Sequence, residues 1–220
     1  MTLAIFDLDE TLIATDSGSA WLEYLVETDQ LDADFLRRDA DYMALYNAGE
    51  LSMSDYMAFS LQPVRGKTAA EIKQMVADFV AVKIAPHIYP QGQQLIHELQ
   101  QAGQRVVIIS ATVDFIVRPI AAHLGVADVM AINIACDSQG RATGSTEGVL
   151  SFREGKVTRL QQWLAQTGES AADAHFYSDS INDLALLDYV DYPFATNPHP
   201  RLLSIAQQRG WPIIDWRSNS

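Results

Sequence analysis

The sequence predicts an α/β fold: a Rossmann-like parallel-sheet core with helices on both faces, and a small helical cap inserted after the first strand. Three observations lead there. Short apolar runs at 3–6, 105–109 and 174–177 each end on polar residues, the pattern of strands buried within a parallel sheet. Helical periodicity fills the gaps between the later runs, and strands alternating with helices build such a sheet. Residues 17–83 break the alternation with consecutive helical stretches and stand apart as an insertion.

In chain order, the run 3–6 (Leu-Ala-Ile-Phe) is the first strand and delivers Asp7 at its carboxyl end. Cap helices are expected at 20–26, 33–46, 54–61 and 69–82. The last is opened by Thr68 with Glu71 three residues on, a capping-box pair. Hinges at 14–17 and 85–90 divide the chain into a core of residues 1–15 and 86–220 and a cap of residues 16–85. In the core, 91–102 carries apolar residues at Leu95, Ile96 and Leu99 and stops before Gly103, a helix-ending residue. The run 105–109 is the second strand and ends at Ser110. Residues 113–124 are helical, with Pro119 expected to kink them. Residues 131–137 and the Gly-, Thr- and Ser-rich 140–149 read as a hairpin beside the sheet. A helix at 156–164 is amphipathic through Val157, Leu160 and Leu164. The run 174–177 is the third strand, ending at Ser178 and Asp179, and weaker runs at 189–195 and 211–214 complete the sheet.

A net charge of −13 over 220 residues argues against nucleic acid and against an anionic membrane surface, because both are held by clustered Lys and Arg. No apolar run approaches the ~20 residues of a membrane span, and the N-terminus does not read as a signal peptide. The expected location is the cytoplasm. The single cysteine, Cys136, reads as a small buried hydrophobe, and no Cys/His cluster has zinc spacing. Histidines are scattered and read as surface or structural. Both a monomer and a homodimer fit.

The polar residues at the strand ends form one set. In an open parallel sheet, ligands bind in the crevice at the carboxyl ends of the strands. The first strand brings Asp7, Asp9 and Thr11 there, the second Ser110, and the third Asp179 with Asp183 one turn later; Lys156 opens the preceding helix. This set suits phosphoryl transfer. A phosphomonoester and a carboxylate nucleophile are both anionic, so a divalent cation must cancel their repulsion. Mg²⁺ takes oxygen ligands and is usually held by one or two carboxylates together with substrate oxygens. Asp7 and Asp179 can supply carboxylates, and the Asp9 backbone carbonyl a third oxygen. Lys156 adds a point charge against the phosphoryl oxygens. Ser110 and the amide that follows it, that of Ala111, can bond the same oxygens at a helix N-terminus. Asp7 would attack to give an aspartyl phosphate. Asp9 would protonate the leaving oxygen and then take a proton from water. Singly, each residue has a plainer use, since an Asp after a strand often only caps a helix. Four stretches acting together make the case.

Asp7-x-Asp9-x-Thr11, Ser110, Lys156 and Asp179-x-x-x-Asp183 resemble, in order, the four motifs of the haloacid dehalogenase (HAD) superfamily of phosphohydrolases. Residues 178–183 (Ser-Asp-Ser-Ile-Asn-Asp) look like the fourth motif of its phosphoserine-phosphatase-like branch, subfamily IB. The insertion after the first motif is similar to that branch's small cap. The resemblance covers nearly the whole chain. It implies a Mg²⁺-dependent phosphatase acting on a small phosphomonoester, with Asp7 as nucleophile, Asp9 as acid/base, and Asp7, Asp9 and Asp179 around the metal. It places Thr11, Ser110, Ala111, Lys156 and Asn182 on the phosphate side, with Asp183 supporting the lysine or the metal waters.

In such enzymes the cap selects the leaving group. Phosphoserine phosphatases hold the substrate amine with an acidic residue shortly after the first motif, where this chain has Asp16. They hold the carboxylate with a cap arginine. The comparable stretch 54–61 contains none, and Arg65 lies downstream. A carboxylate without a cationic partner binds poorly in a closed pocket, so the sequence favours a phosphomonoester with an amine and no carboxylate. The stretches Asn197-Pro198-His199-Pro200-Arg201-Leu202 and Gly210-Trp211-Pro212 resemble a bacterial subgroup that includes histidinol-phosphate phosphatases. L-histidinol phosphate is therefore the expected substrate, with phosphoserine or another small metabolite as alternative, and phosphoryl transfer to a second acceptor left open. The aromatics Trp21, Tyr24, Tyr42, Tyr46 and Tyr56 read mainly as cap core. A phospho-accepting signalling domain also combines aspartates, a hydroxyl and a lysine, but it is about half this length and carries its aspartate in a middle strand.

Overall fold

In the computed structural model, which describes residues 2–217, seven strands form one sheet. They are β1 (Leu3–Phe6), β2 (Arg105–Val113), β3 (Asp128–Cys136), β4 (Ala142–Glu147), β5 (His175–Ser178), β6 (Tyr192–Thr196) and β7 (Ile213–Ile214). Their order is β4-β3-β2-β1-β5-β6-β7. Each pair is parallel except β3 with β4, the hairpin read from the sequence. β1 lies at the centre because all four of its residues are apolar and fully buried. Successive side chains point to opposite faces. Leu3 and Ile5 accordingly share a cluster with Leu160, Phe176, Leu186 and Leu202, and Ala4 and Phe6 share another with Ile96, Ile116 and Ile120.

The insertion carries α1 (Ser17–Glu27), α2 (Asp34–Ala48), α3 (Met53–Ser60) and α4 (Ala69–Val76). α5 (Pro90–Gln101) and α6 (Asp114–His123) lie on the face of Ala4 and Phe6, and α7 (Glu154–Thr167), α8 (Leu184–Leu187) and α9 (Pro200–Arg209) on the opposite face. The two crossings into and out of the insertion run side by side: the Ala14 amide donates to the His87 carbonyl at 2.7 Å and the Tyr89 amide to that of Leu12 at 3.0 Å. Trp21, Phe59 and Phe79 of the insertion belong to the same apolar cluster as Phe6, so one core runs from the sheet into it.

Three sequence expectations need correction. The helix expected over 69–82 stops at Val76, and a π-helical turn at Val80–Ile84 follows. Pro86 has no N–H to give the Val82 carbonyl, and the Ala85 amide reaches back to Val80 instead. β2 does not end before Ser110 but continues to Val113, so Ser110 precedes α6 by four residues. Cys136 is exposed, because it ends β3 at the outer hairpin. No helix among the described residues is long and apolar enough to cross a membrane.

Candidate active site

The sheet connects β1 outward to β2 on one side and returns to β5 on the other, so β1 and β5 flank the point where strand order reverses. Crevices of parallel sheets open there. The Asp7 amide is fixed by the β5 carbonyl of Tyr177 at 2.9 Å. The chain then turns tightly, with the Leu12 amide on the Leu8 carbonyl at 2.8 Å and Glu10 at a φ of 55°. Asn197, which entered the sequence analysis only as part of a resemblance and with no role of its own, braces this turn. Its side-chain amide donates to the Thr11 carbonyl at 3.1 Å and accepts from the Trp216 amide at 2.7 Å.

Lys156, on the first turn of α7, is 2% exposed, and its Nζ lies 2.8 Å from Asp7 Oδ1 and 2.7 Å from Asp183 Oδ2. Ser178 Oγ donates to the same Asp183 oxygen at 2.7 Å. Thr11 Oγ1 donates to Asp179 Oδ1 at 2.9 Å and accepts from the Asp179 amide at 3.0 Å, which ties the β1 turn to the end of β5. Asp9 is held by three donors: the Ser17 amide at 2.7 Å, Thr112 Oγ1 at 2.9 Å and Ser110 Oγ at 3.3 Å. Thr112 escaped the sequence reading because β2 was taken to end before it. Ser110 thus holds Asp9, and it also accepts from the Thr112 amide at 3.0 Å. Asn182 reaches into the insertion, donating to the Tyr46 carbonyl at 3.3 Å. Asp16 caps α1, accepting from the Ser19 amide at 2.8 Å.

One buried lysine faces several acids. Burial pushes the Asp7 carboxyl up to about 7 against the pull of Lys156, with Asp183 and Asp9 adding to the rise. Burial also lifts Asp9 despite its donors, and lifts Asp179 well above the carboxylate range with help from Asp7, Asp183 and Glu10. Burial alone would lower Lys156, but Asp183 and Asp7 outweigh it and hold the ammonium above its ordinary range. The site is therefore short of positive charge, and its donors are oxygens. That fits Mg²⁺. Because the Asp9 carboxylate is engaged with Ser17, Thr112 and Ser110, its backbone carbonyl is the oxygen left for a metal. Among the described residues, one trio of His and acid side chains brings its ligand atoms within 4.8 Å of one another: Glu10, Asp179 and His199. Its imidazole already pairs with Glu10 at 2.6 Å.

Above Asp7 and Asp9 lies a cavity of about 30 Å³ lined by Asp16, Met43, Tyr46, Leu51, Met53, Tyr56, Ala111 and Thr112. A second of about 230 Å³ shares Asp9, Asp16, Met43 and Tyr46 with it and adds Glu10, Ser19, Asn47 and Asp179. Neither lining contains Lys or Arg. Arg65 is exposed, with its stem beside Gly144 of β4.

The family model of haloacid dehalogenase-like hydrolases matches residues 4–188. The chain belongs to that family. This HAD hydrolase is 38% identical over 219 residues to a histidinol-phosphatase of Neisseria meningitidis, covering 98% of this chain and 99% of that one. A solved structure of a protein of unknown function from Bordetella pertussis, also 38% identical, superposes with a TM-score of 0.91 over 98% of this chain and 100% of that one. A phosphoserine phosphatase structure, an analogue of its phospho-aspartyl intermediate, shares the fold at 18% identity and a TM-score of 0.71, covering 98% of this chain and 93% of that one. The HAD hydrolase is thus a phosphatase.

Proposed function

We propose that this HAD phosphatase hydrolyses L-histidinol phosphate through an aspartyl phosphate on Asp7, with Mg²⁺ as cofactor. The observation that carries the chemistry is Lys156 bonded to both Asp7 and Asp183 at the carboxyl end of the central strand. The carboxylate of Asp7 attacks phosphorus as the bond to the leaving oxygen breaks. Asp9, kept in place by Ser17, Thr112 and Ser110, gives its proton to that oxygen. Its raised pKa suits an acid. Water then cleaves the aspartyl phosphate, and Asp9 takes the proton back. Lys156 anchors the nucleophile and balances phosphoryl charge. When bound by Asp7, Asp179 and the Asp9 carbonyl, Mg²⁺ supplies the remaining neutralisation.

Substrate choice falls to residues 16–85, which we assign as a cap over a core of residues 1–15 and 86–220. Acids, tyrosines and methionines without a cation line the space above Asp7. They suit a leaving group with an amine and an imidazole and disfavour one with a carboxylate. The histidinol-phosphatase relative at 38% identity supports the same choice. A cavity of about 30 Å³ holds about one water, so the cap lifts to admit substrate. The test compares phosphate release from L-histidinol phosphate, O-phosphoserine, sugar phosphates and nucleotides, with Mg²⁺ and with EDTA. Histidinol phosphate should exceed phosphoserine in kcat/KM by about 10- to 100-fold, the cost of one uncompensated charged group. Preference for phosphoserine would overturn the substrate, and full activity in EDTA would overturn the cofactor.

A further inference from the structure

Helix α2 is polar and lies on the outside of the fold, yet its one buried residue is an acid. Asp39 is 5% exposed. No cation meets it. Its Oδ2 accepts from Ser19 Oγ at 2.6 Å and its Oδ1 from the Tyr56 hydroxyl at 3.2 Å, so two hydroxyls from α1 and α3 hold a buried carboxylate. Burying an acid this way is unfavourable for the fold alone, and a leucine of similar shape would pack there more easily.

The geometry gives the acid another use. A phenol has a single proton, and Tyr56 commits it to Asp39. Towards the cavity above Asp7, which Tyr56 lines and Asp39 does not, the phenol oxygen can then only accept. Asp16 lines the same cavity. Gly18 joins the two: a Cβ built there would lie 3.2 Å from Asp16 Oδ1 and 3.2 Å from the Tyr56 hydroxyl oxygen. The missing side chain leaves both acceptors facing one space. Ser19 couples them, its amide donating to Asp16 and its hydroxyl to Asp39.

We infer that Asp39 is a positioning residue for specificity: it fixes the Tyr56 phenol as a hydrogen-bond acceptor beside Asp16, and together those two oxygens receive the ammonium group of the leaving alcohol. This rests on the amine-bearing substrate proposed above and adds the device that selects for it. An alcohol with a methyl in place of the ammonium leaves both acceptors unmatched and is rejected.

The test uses the full chain with Mg²⁺ and two near-isosteric probes, O-phosphoethanolamine and propyl phosphate, which differ by ammonium against methyl. The quantity read is the ratio of their kcat/KM values, for the wild type, Tyr56→Phe, Asp39→Leu and the double variant. Each single substitution should lower the ratio about tenfold, the effect of one hydrogen bond to a charged group. The change should appear in KM for the amine ester. The double variant should fall no further than either single one, because Asp39 acts only through Tyr56. Asp39→Leu should melt no lower than the wild type, which separates positioning from a structural role. A ratio unchanged in Tyr56→Phe overturns the inference whatever Asp39→Leu does. So does a ratio that falls in Tyr56→Phe but not in Asp39→Leu, or an equal loss on both probes. A wild type without preference for the amine would instead sink the substrate reading on which this one stands.

Discussion

Replacing Lys156 with methionine tests the electrostatic centre of the site. The lysine is 2% exposed, and Asp7 and Asp183, its partners at 2.8 and 2.7 Å, are 5% and 2% exposed. Methionine fills the space of the lysine stem, so the loss is mainly one of charge, including the ammonium over the Phe176 ring. Breaking a buried ion pair and leaving its acid unpaired costs about 3–5 kcal/mol. For a chain of this size each kcal/mol moves Tm by about 2–4 °C, so the variant should melt about 6–20 °C lower at pH 8 in the absence of metal. The loss should shrink towards pH 5. Asp7, already pushed up to about 7 with the lysine present, rises further without it. The native state then holds a proton that the unfolded chain has released above about pH 4, and stability falls with rising pH by about 1.4 kcal/mol per unit while that difference lasts. Adding Asp183→Asn should recover part of the loss by removing one of the two stranded charges. Thermal melts of metal-free protein at pH 5 and pH 8 provide the comparison. A loss below about 1 kcal/mol at pH 8, or one equal at both pH values, would refute the reasoning.

Three further outcomes are expected. Asp7→Asn, nearly isosteric, should reduce phosphate release to background while far-UV circular dichroism stays native, and measurable turnover would exclude Asp7 as the nucleophile. In metal-free wild type, burial raises Asp7 to about 7 and Asp16, beside Asp9 and Asp39, to about 8. Both folded values lie above the unfolded one, so stability should fall from about pH 4 to pH 8. Asp16→Asn should flatten the part between pH 7 and 8, and urea midpoints that rise over this range would contradict the assignment. Gly155→Ala would place a Cβ 1.9 Å from the Leu150 carbonyl oxygen, next in sequence to Lys156. It should cost about 1–3 kcal/mol or more and lower kcat as the lysine shifts, and a variant with wild-type melting and rate would show that the loop yields freely.

The residues that the sequence made legible are those at ends of strongly patterned elements. Asp7 follows a four-residue apolar strand, Asp179 follows another, and Lys156 begins an amphipathic helix, so periodicity placed them at strand and helix ends and the four motifs in order gave them their roles. The structure bonds Lys156 to Asp7 and ties Asp179 to Thr11 of the turn that follows β1. Thr112 was hidden because nothing in Ser-Ala-Thr-Val announces that β2 continues past its apolar run. Asp39 was hidden because one acid on a polar helix reads as solvated until the packing of α1 and α3 around it is known. The helical pattern over 69–82 does not register the break after Val76, nor the π-helical turn at Val80–Ile84 that follows.

Arg153 was equally hidden, and its place bears on how the insertion is joined to the core. The last carbonyls of a helix have no partner within it. At the carboxyl end of α2 those partners come from the core. Asn182 donates to the Tyr46 carbonyl, Arg201 to that of Ala48 at 2.8 Å, and Arg153 to that of Gly49. Two arginines at the negative end of the helix dipole add attraction. Arg153 reaches there from a φ of 51°, a conformation costly for a residue with a Cβ. Each such bond, if neutral, contributes a net of about 0.5–1.5 kcal/mol. These bonds join the end of α2 to the core, alongside the apolar core that the sheet shares with the insertion and the Ser17 amide bond to Asp9. The same α2 end that is gripped carries Tyr46, which lines both cavities. A leaving group bound in either cavity would meet Tyr46 on the same α2 end that Asn182, Arg201 and Arg153 contact.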